Sequence, residues 1–424
     1  MADDKINKLS QIGSTGLEHY DGRIYEEFLP TLRGMKSVKI YQEMQHNDPI
    51  VGAILFAVEM LIRQVEFRVQ PASDNSADVE MAEFVESCMD DMDMTWQETI
   101  SEIISMLVYG WSYHEIVYKV RKGNNKDVDK MSRFDDGKIG WGKLPIRSQD
   151  TLYKWAFDDN GGIVGMWQQA PPRWELVFIP MEKALLFRTS SVKNNPEGRS
   201  VLRNAYRPWY FKKRIEEIEG IGIERDLAGL PVAFVPPDIM ADDASPQEKA
   251  VFNSVKDIVR NVRRDEQEGV VFPAIYDDNG NKLYDFQLMS TGGSRQFDTD
   301  AIINRYDQRI AMTILADFIL LGHEGVGSFA LSSTKTHLFS VALGAWLNSI
   351  VSVFNRFAIP RLFKLNGFKV ENLPKLVCGD IESIPLTELG EYISKLSGAG
   401  VDLFPDDELK KYLLKIANLP VSEV

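Results

Sequence analysis

Two long amphipathic segments, about 200–228 and 298–321, bracket a stretch that carries folding signals of its own, and few architectures accommodate that order. In the first segment Tyr206, Trp209, Ile215, Ile218 and Ile221 fall at helical spacing, and Gly229-Leu-Pro231 stops the helix. Asp298 supplies an N-cap for the second. Between them, the pattern predicts a strand at 232–235 and a helix opened by the capping box Ser245-Pro-Gln-Glu248. Strands near 270–276 and 283–288 flank the turn pair Asn279-Gly280.

The flanks are mixed helix and strand. Residues 1–36 are polar with aromatic islands at Tyr20, Tyr25 and Phe28, and read as an arm that orders only against a partner or a neighbouring subunit. Asp48-Pro49 opens a helix to about Arg63. Residues 65–69 alternate as a strand, helices follow at 77–91 and 95–109, and Gly110 stops the second of these. Residues 111–120 read as one strand, and 121–190 as a small β-rich module with a hairpin turning at 158–162. A Gly-rich loop at 322–333 precedes a long apolar helix, about 334–358, that Pro360 should bend or end. Short helices are expected at 386–397 and 406–417. The fold class is α+β.

Chemistry is harder to find. The histidines His19, His46, His114, His323 and His337 are scattered, and His323-Glu324 lacks the second histidine of a zinc-protease helix. Gly322, Gly325 and Gly327 lie between two helices, whereas a nucleotide-binding glycine loop follows a strand. No Gly-x-Ser-x-Gly elbow occurs. Cys88 and Cys378 make no Cys-x-x-Cys pair and fit a reducing origin. The first residues have neither the basic nor the apolar part of a signal peptide, and no uninterrupted apolar run reaches membrane-spanning length. The expectation is a soluble intracellular protein with no cofactor, no metal and no catalysis of its own.

Charge narrows the choice. The formal net charge is −14 over 424 residues, the reverse of a protein that grips nucleic acid by a general basic surface. Between Val69 and Tyr118 there are eleven acidic residues and no Lys or Arg, while Arg199 to Arg225 holds seven basic against four acidic residues. Each block alone reads as a solvated helix face. Together they describe a polarised molecule.

Three stretches then match a known pattern in order along the chain. These are Asn47-Asp-Pro-Ile-Val-Gly-Ala53 followed by Val65-Glu-Phe-Arg-Val-Gln-Pro71; Leu107-Val-Tyr-Gly-Trp-Ser-Tyr-His-Glu-Ile-Val-Tyr118; and Asn195-Pro-Glu-Gly-Arg-Ser-Val-Leu-Arg203 leading into Ala228-Gly-Leu-Pro231. This series resembles bacteriophage portal proteins, the head-to-tail connectors. Ala399-Gly-Val-Asp-Leu-Phe404 and Leu419-Pro420 make the Mu-like branch the nearest.

The resemblance implies a portal-type fold, with a helical wing and crown, paired long stem helices and a small α/β clip. Carried onto this chain it gives an N-terminal arm at 1–36, a wing at 37–199, a first stem helix at 200–228 and a clip at 229–297. A second stem helix at 298–321, a tunnel loop at 322–333, a long wing helix at 334–371 and a crown at 372–424 follow. It implies a homo-oligomeric ring, typically a dodecamer, at one capsid vertex of the virion, assembled in the host cytoplasm. Double-stranded DNA would pass through as weakly held cargo, during packaging and again during ejection. The large terminase subunit, the major capsid or scaffold proteins and a head-tail adaptor would be partners; a membrane would not.

Candidate DNA-facing residues are Gly322, His323, Glu324, Gly325, Gly327, Ser328 and Lys335. Clip residues that could meet the terminase are Phe252, Val255, Arg260, Arg263 and Arg264. Intersubunit stem candidates are Lys212, Lys213, Arg214, Glu216 and Glu217, whose mixed charge suits ion-pair exchange around a ring. The competing readings are a hydrolase or nucleic-acid-processing enzyme with an unrecognised site, and another virion component such as a capsid or adaptor protein. The missing nucleophile, metal and nucleotide motifs weigh against the first, and the paired helices around a small module weigh against the second.

Overall fold

The computed structural model describes residues 13–124, 131–228, 230–261, 276, 280, 282–289, 298–316, 329–368 and 372–379. The chain divides into two compact units: the residues up to Ala205 together with those from Ile310 onward, and Tyr206–Arg309.

The first unit opens with a small hairpin, β1 (His19–Tyr20) and β2 (Arg23–Ile24). For residues 13–36 this corrects the expectation of an arm ordered only by a partner, because they lie on their own chain; residues 1–12 lie outside the described residues. Ile24 and Leu32 are buried, and the Trp155 N–H donates to the Gly22 carbonyl at 2.9 Å. Ion pairs join Asp21 to Lys154 at 2.7 Å, Glu26 to Lys193 at 3.0 Å, and Glu27 to Arg203, whose Nε and Nη2 each donate to one of its carboxylate oxygens.

Helix α1 (Met35–Asn47) leads to α2 (Pro49–Arg63). The Asp48 carboxylate accepts from the Ile50 and Val51 amides, each at 3.0 Å, which fixes the start of α2. Its stripe of Val51, Ile54, Leu55, Val58 and Ile62 is buried. After β3 (Phe67–Gln70), helices α3 (Ser76–Asp90) and α4 (Trp96–Tyr109) follow. Thr95 and Glu98 form a reciprocal capping box at the start of α4, and Gly110, at φ 94°, closes it.

The expected strand at 111–120 is two strands, because the chain changes partner at Ile116. Strand β4 (Trp111–Glu115) belongs to a different sheet from β5 (Val117–Val120), which pairs with β6 (Ile139–Lys143). Strands β7 (Leu152–Phe157), β8 (Ile163–Gln169) and β9 (Leu176–Pro180) make an antiparallel sheet, and β10 (Ala184–Arg188) pairs with β4. Trp111, Tyr113 and Trp155 meet edge to face in the core, with Met166, Ile179, Ala184 and Leu186 around them. The Tyr113 hydroxyl donates to the Ile179 carbonyl at 2.9 Å, so the polar tip of this ring is satisfied.

The second unit contains α5 (Tyr206–Ala228), β11 (Leu230–Phe234), α6 (Pro246–Asn261), β12 (Asp285–Met289) and the greater part of α7 (Thr299–Thr313). Helix α7 stops eight residues short of the expected Leu321. The Ala316 N–H reaches back to the Ala311 carbonyl and the Leu315 N–H to the Met312 carbonyl, with Leu315 at φ 59°. These crossed bonds end an α-helix.

Helix α8 (Phe329–Val353) begins five residues earlier than expected, so 329–333 are helical rather than loop. It does not end at Pro360. A π-helical turn at Phe354–Ala358 widens the backbone just before the proline, and α9 (Ile359–Asn366) carries on to Gly367, whose φ is 69°. By length and composition His337–Asn366 could cross a membrane. Its stripe of Phe339, Leu343, Leu347, Ile350 and Phe354 is instead buried in this unit. Strand β13 (Lys375–Cys378) pairs with β3. The helices expected at 386–397 and 406–417, and with them most of the proposed crown, lie outside the described residues.

Two asparagines bracket the end of this helical run. The Asn355 amide donates to the Leu376 carbonyl at 2.9 Å and accepts from the Leu376 N–H at 2.8 Å. Asn366 makes the same reciprocal pair with Ile139, at 2.9 and 2.7 Å. Each side chain thus takes the place of a neighbouring strand for one residue.

Candidate functional site

The helix pair of the second unit is built by side chains that report its direction. Phe211 and Tyr306 stack with ring centroids 6.4 Å apart. Lys212 Nζ lies 2.6 Å from Asp307 Oδ1, and the Thr299 hydroxyl donates to the Glu219 carboxylate. As α5 advances from 211 to 219, α7 retreats from 307 to 299, so the two helices run antiparallel.

Of the five residues expected to exchange ions between subunits, Lys212 is committed within its own chain. It is buried between Asp307 and, at 3.9 Å, Glu216. Taking an ammonium out of water is costly, and the Asp307 carboxylate beside it offsets that cost. Lys213 sits over the Trp209 ring at 5.6 Å. Arg214 lies 3.6 Å from Glu217, and both are exposed together with Glu216. Ile218 (68 % exposed) and Ile221 (49 %) continue the open face of α5 one and two turns on. These isoleucines were placed in the apolar stripe of the helix; the structure leaves them on its outside.

The expected clip has a folded scaffold. Strands β11 and β12 pair antiparallel, with Leu230 opposite Met289 and Phe234 opposite Asp285. The predicted capping box forms: the Ser245 N–H donates to the Glu248 carboxylate at 2.7 Å and the Glu248 N–H to Ser245 Oγ at 3.3 Å. Val255 is buried where α6 packs on the turn at Pro237–Met240, whose Ile239 is also buried. Phe252 is half-buried and Arg260 exposed. Arg263 and Arg264 lie outside the described residues.

The loop candidates Gly322, His323, Glu324, Gly325, Gly327 and Ser328 also lie outside the described residues. Lys335 belongs to the first turns of α8. Among the described residues, the stem candidates lie on α5, the clip candidates Phe252, Val255 and Arg260 on α6, and Lys335 on α8.

Two titratable groups of the first unit, the buried His114 and the half-buried Glu197, were not singled out as functional from sequence. His114 Nδ1 lies 2.8 Å from the Leu144 carbonyl, and burial pushes the ring pKa down to about 4. The imidazole is neutral at ordinary pH, with Nδ1 as the donor. Glu197 accepts from Trp155 Nε1 at 3.3 Å, and burial pushes its carboxyl up to about 7. Both responses follow from loss of water around a charge, and neither group meets a nucleophile. Among the described residues no three His, Cys, Asp or Glu side chains are placed to hold a metal ion.

Known proteins supply the remaining constraint. The fold is similar to a chain in the neck of an empty GTA particle computed with C6 symmetry: TM-score 0.51, 13 % identity, covering 91 % of this chain and 94 % of that one. A chain in the virion of the native gene transfer agent particle is similar at TM-score 0.51, 12 % identity and the same coverage, 91 % and 94 %. An HK97 family phage portal protein from Corynebacterium diphtheriae aligns at TM-score 0.42 and 11 % identity, over 81 % of this chain and 93 % of that one. The family described as the portal protein of Mu bacteriophage matches residues 38–413. That match spans both units, and the chain belongs to the Mu-type bacteriophage portal protein family.

Proposed function

We propose that copies of this chain assemble into a ring at one capsid vertex, a dodecamer as is typical of portals, and that double-stranded DNA is packaged and later ejected through its centre. The antiparallel pair α5–α7, joined through a small unit with its own sheet and capped helix, is the observation that carries this reading. Two helices fixed by a buried ion pair make a stiff strut, and a ring of struts makes a wall around a channel.

In this reading α5 and α7 are the stem, and Arg214, Glu216, Glu217, Ile218 and Ile221 face the next subunit. The β11–α6–β12 piece is the clip, where the terminase and then the head-tail adaptor dock, with Phe252 and Arg260 at or near its surface. The loop before α8 faces DNA. The net charge of −14 keeps phosphate contacts weak, as a conduit requires, since each Lys or Arg that neutralises a phosphate makes release harder. The protein supplies a passage, and the motor that hydrolyses nucleotide is a separate partner.

Negative-stain imaging of the purified chain tests the ring. Particles with a central hole are expected. A 48.1 kDa species at every concentration in light scattering would overturn the proposal.

A further inference from the structure

The hairpin and α1 enclose, with the body of the first unit, a cavity of about 740 Å³. Its walls carry Arg23, Arg33, Lys36 and Lys154 against Asp150 and Glu197. Asp21 neutralises Lys154 at 2.7 Å, and Glu197 holds its proton up to about pH 7. Arg33 bonds to the backbone carbonyls of Glu27 and Phe28, which leaves its charge in place. Arg23 lies beside the Tyr153 ring at 5.7 Å and is exposed. Lys36 is exposed, as is Lys39 almost one turn further along α1. The rim is therefore positive.

Helix α3 is the opposite kind of surface. Glu80, Glu83 and Asp90 are exposed and fall on one face at helical spacing. No Lys or Arg occurs from Val69 to Tyr118; Lys138, from another segment, pairs with Glu80 at 4.0 Å and offsets one of these charges, leaving Glu83 and Asp90 to carry the face.

The two surfaces are carried by different elements of the first unit. Helix α3 packs on β6, which pairs with β5; β4 pairs with β10; and Trp111 and Tyr113 of β4 meet Trp155 of β7, on which the hairpin lies. Unlike patches carried by different elements of one chain can meet head to tail between copies, and such heterologous contacts generate a ring where the rotation closes.

We propose that the acidic face of α3 in one copy docks on the positive rim of the next copy, at Arg23, Arg33, Lys36 and Lys39. The inference rests on the ring reading above and names one of its contacts. The seating of the hairpin by its own ion pairs then has a use, since it presents Arg23 and holds Arg33 where the neighbour arrives.

Charge reversal tests the contact in the full-length chain. Parental assembly is measured first, by sedimentation over a concentration series. Glu80→Lys with Glu83→Lys, and separately Lys36→Glu with Lys39→Glu, should each raise the half-assembly concentration by about tenfold or more. Combining all four reversals in one chain should restore assembly, and about 0.5 M salt should weaken the parent. Rings at the parental concentration from either reversal alone would overturn the proposal. So would a combined variant that fails to recover. A parent that stays monomeric sinks the ring reading together with this contact, whereas parental rings with insensitive variants sink this contact alone. Circular dichroism checks folding; should a reversal not fold, the Gln substitutions at the same positions are read in the same way, with smaller losses.

Discussion

Gly110 and Gly198 face each other so closely that neither position has room for a side chain. A Cβ on Gly198 would lie 2.2 Å from the Gly110 carbonyl oxygen, and a Cβ on Gly110 would lie 2.4 Å from the Glu197 carbonyl oxygen. Both have positive φ, 94° at Gly110 and 55° at Gly198. The end of α4 is thereby joined to the segment that leads into α5, and Thr189, which donates its N–H to the Gly110 carbonyl at 3.0 Å, completes the junction.

Alanine at either glycine should lower stability by about 3 kcal/mol or more, because the obstacle is backbone and cannot rotate away. Gly367 is the control: its φ is 69° and its ψ 19°, but nothing lies within 4 Å of an added Cβ. There alanine should cost only about 1 kcal/mol of left-handed strain. Urea midpoints of the three variants check the order.

Asp307→Ala should destabilise by about 3–5 kcal/mol, since it leaves the Lys212 ammonium buried without its nearest carboxylate. Replacing both partners, Lys212→Met with Asp307→Leu, should recover most of that loss. A double-mutant cycle in urea measures the coupling.

Asn355→Asp should cost about 2 kcal/mol, because a carboxylate still accepts from the Leu376 N–H but faces the Leu376 carbonyl with no donor. The same argument holds for Asn366→Asp and the Ile139 carbonyl. Urea midpoints of the two variants check the size of the loss.

His114 and Glu197 should tilt the pH dependence in opposite senses. The His114 pKa falls from 6.5 to about 4 on folding, so the unfolded chain binds the extra proton. Stability is complete above pH 6.5 and falls as the pH drops through about 4, by about 3 kcal/mol. The Glu197 pKa rises from 4.5 to about 7, so its contribution is full below pH 4.5 and is lost as the pH rises through about 7. Glu197→Gln should remove the fall on the alkaline side and leave the acid side unchanged, as read from urea midpoints between pH 4 and pH 8.

Changing Gly325 and Gly327 to Ala should leave assembly intact and reduce the DNA packaged, if the segment before α8 rides on the duplex. Ser328→Lys, with Ser332→Lys in the first turn of α8, should slow passage in a salt-dependent way. Packaging equal to the parent in both variants would remove that segment from the channel.

Local rules made much of the fold legible. Asp48-Pro49 and Ser245-Pro-Gln-Glu248 announced two helix starts, Gly110 a helix end, and the turn at 158–162 a hairpin, because caps and turns depend on residues a few positions apart. What failed depended on residues far apart or on exceptions to a rule. Lys212 looked like one more surface charge until Asp307, on the other helix, came beside it. Leu315 takes a conformation that usually signals glycine, so the end of α7 carried no mark. Pro360 normally stops a helix, and nothing nearby announced the π turn that lets this one continue. The acidic run beside α3 was visible as composition; that it forms an open face needed the burial of Ala82, Phe84, Val85, Cys88 and Met89 on the other side.

Because α5 and α7 run antiparallel, the polypeptide enters and leaves the second unit at one end of the helix pair. Its length is therefore free to drift over evolutionary time. Matched insertions, one turn in each helix, would lengthen the strut by about 5.4 Å without disturbing the β11–β12 sheet at its far end. An insertion in one helix alone would slide Phe211 past Tyr306 and take Lys212 away from Asp307. Homologues that differ in the reach of this unit should accordingly differ by paired changes, located on both sides of the β11–α6–β12 piece.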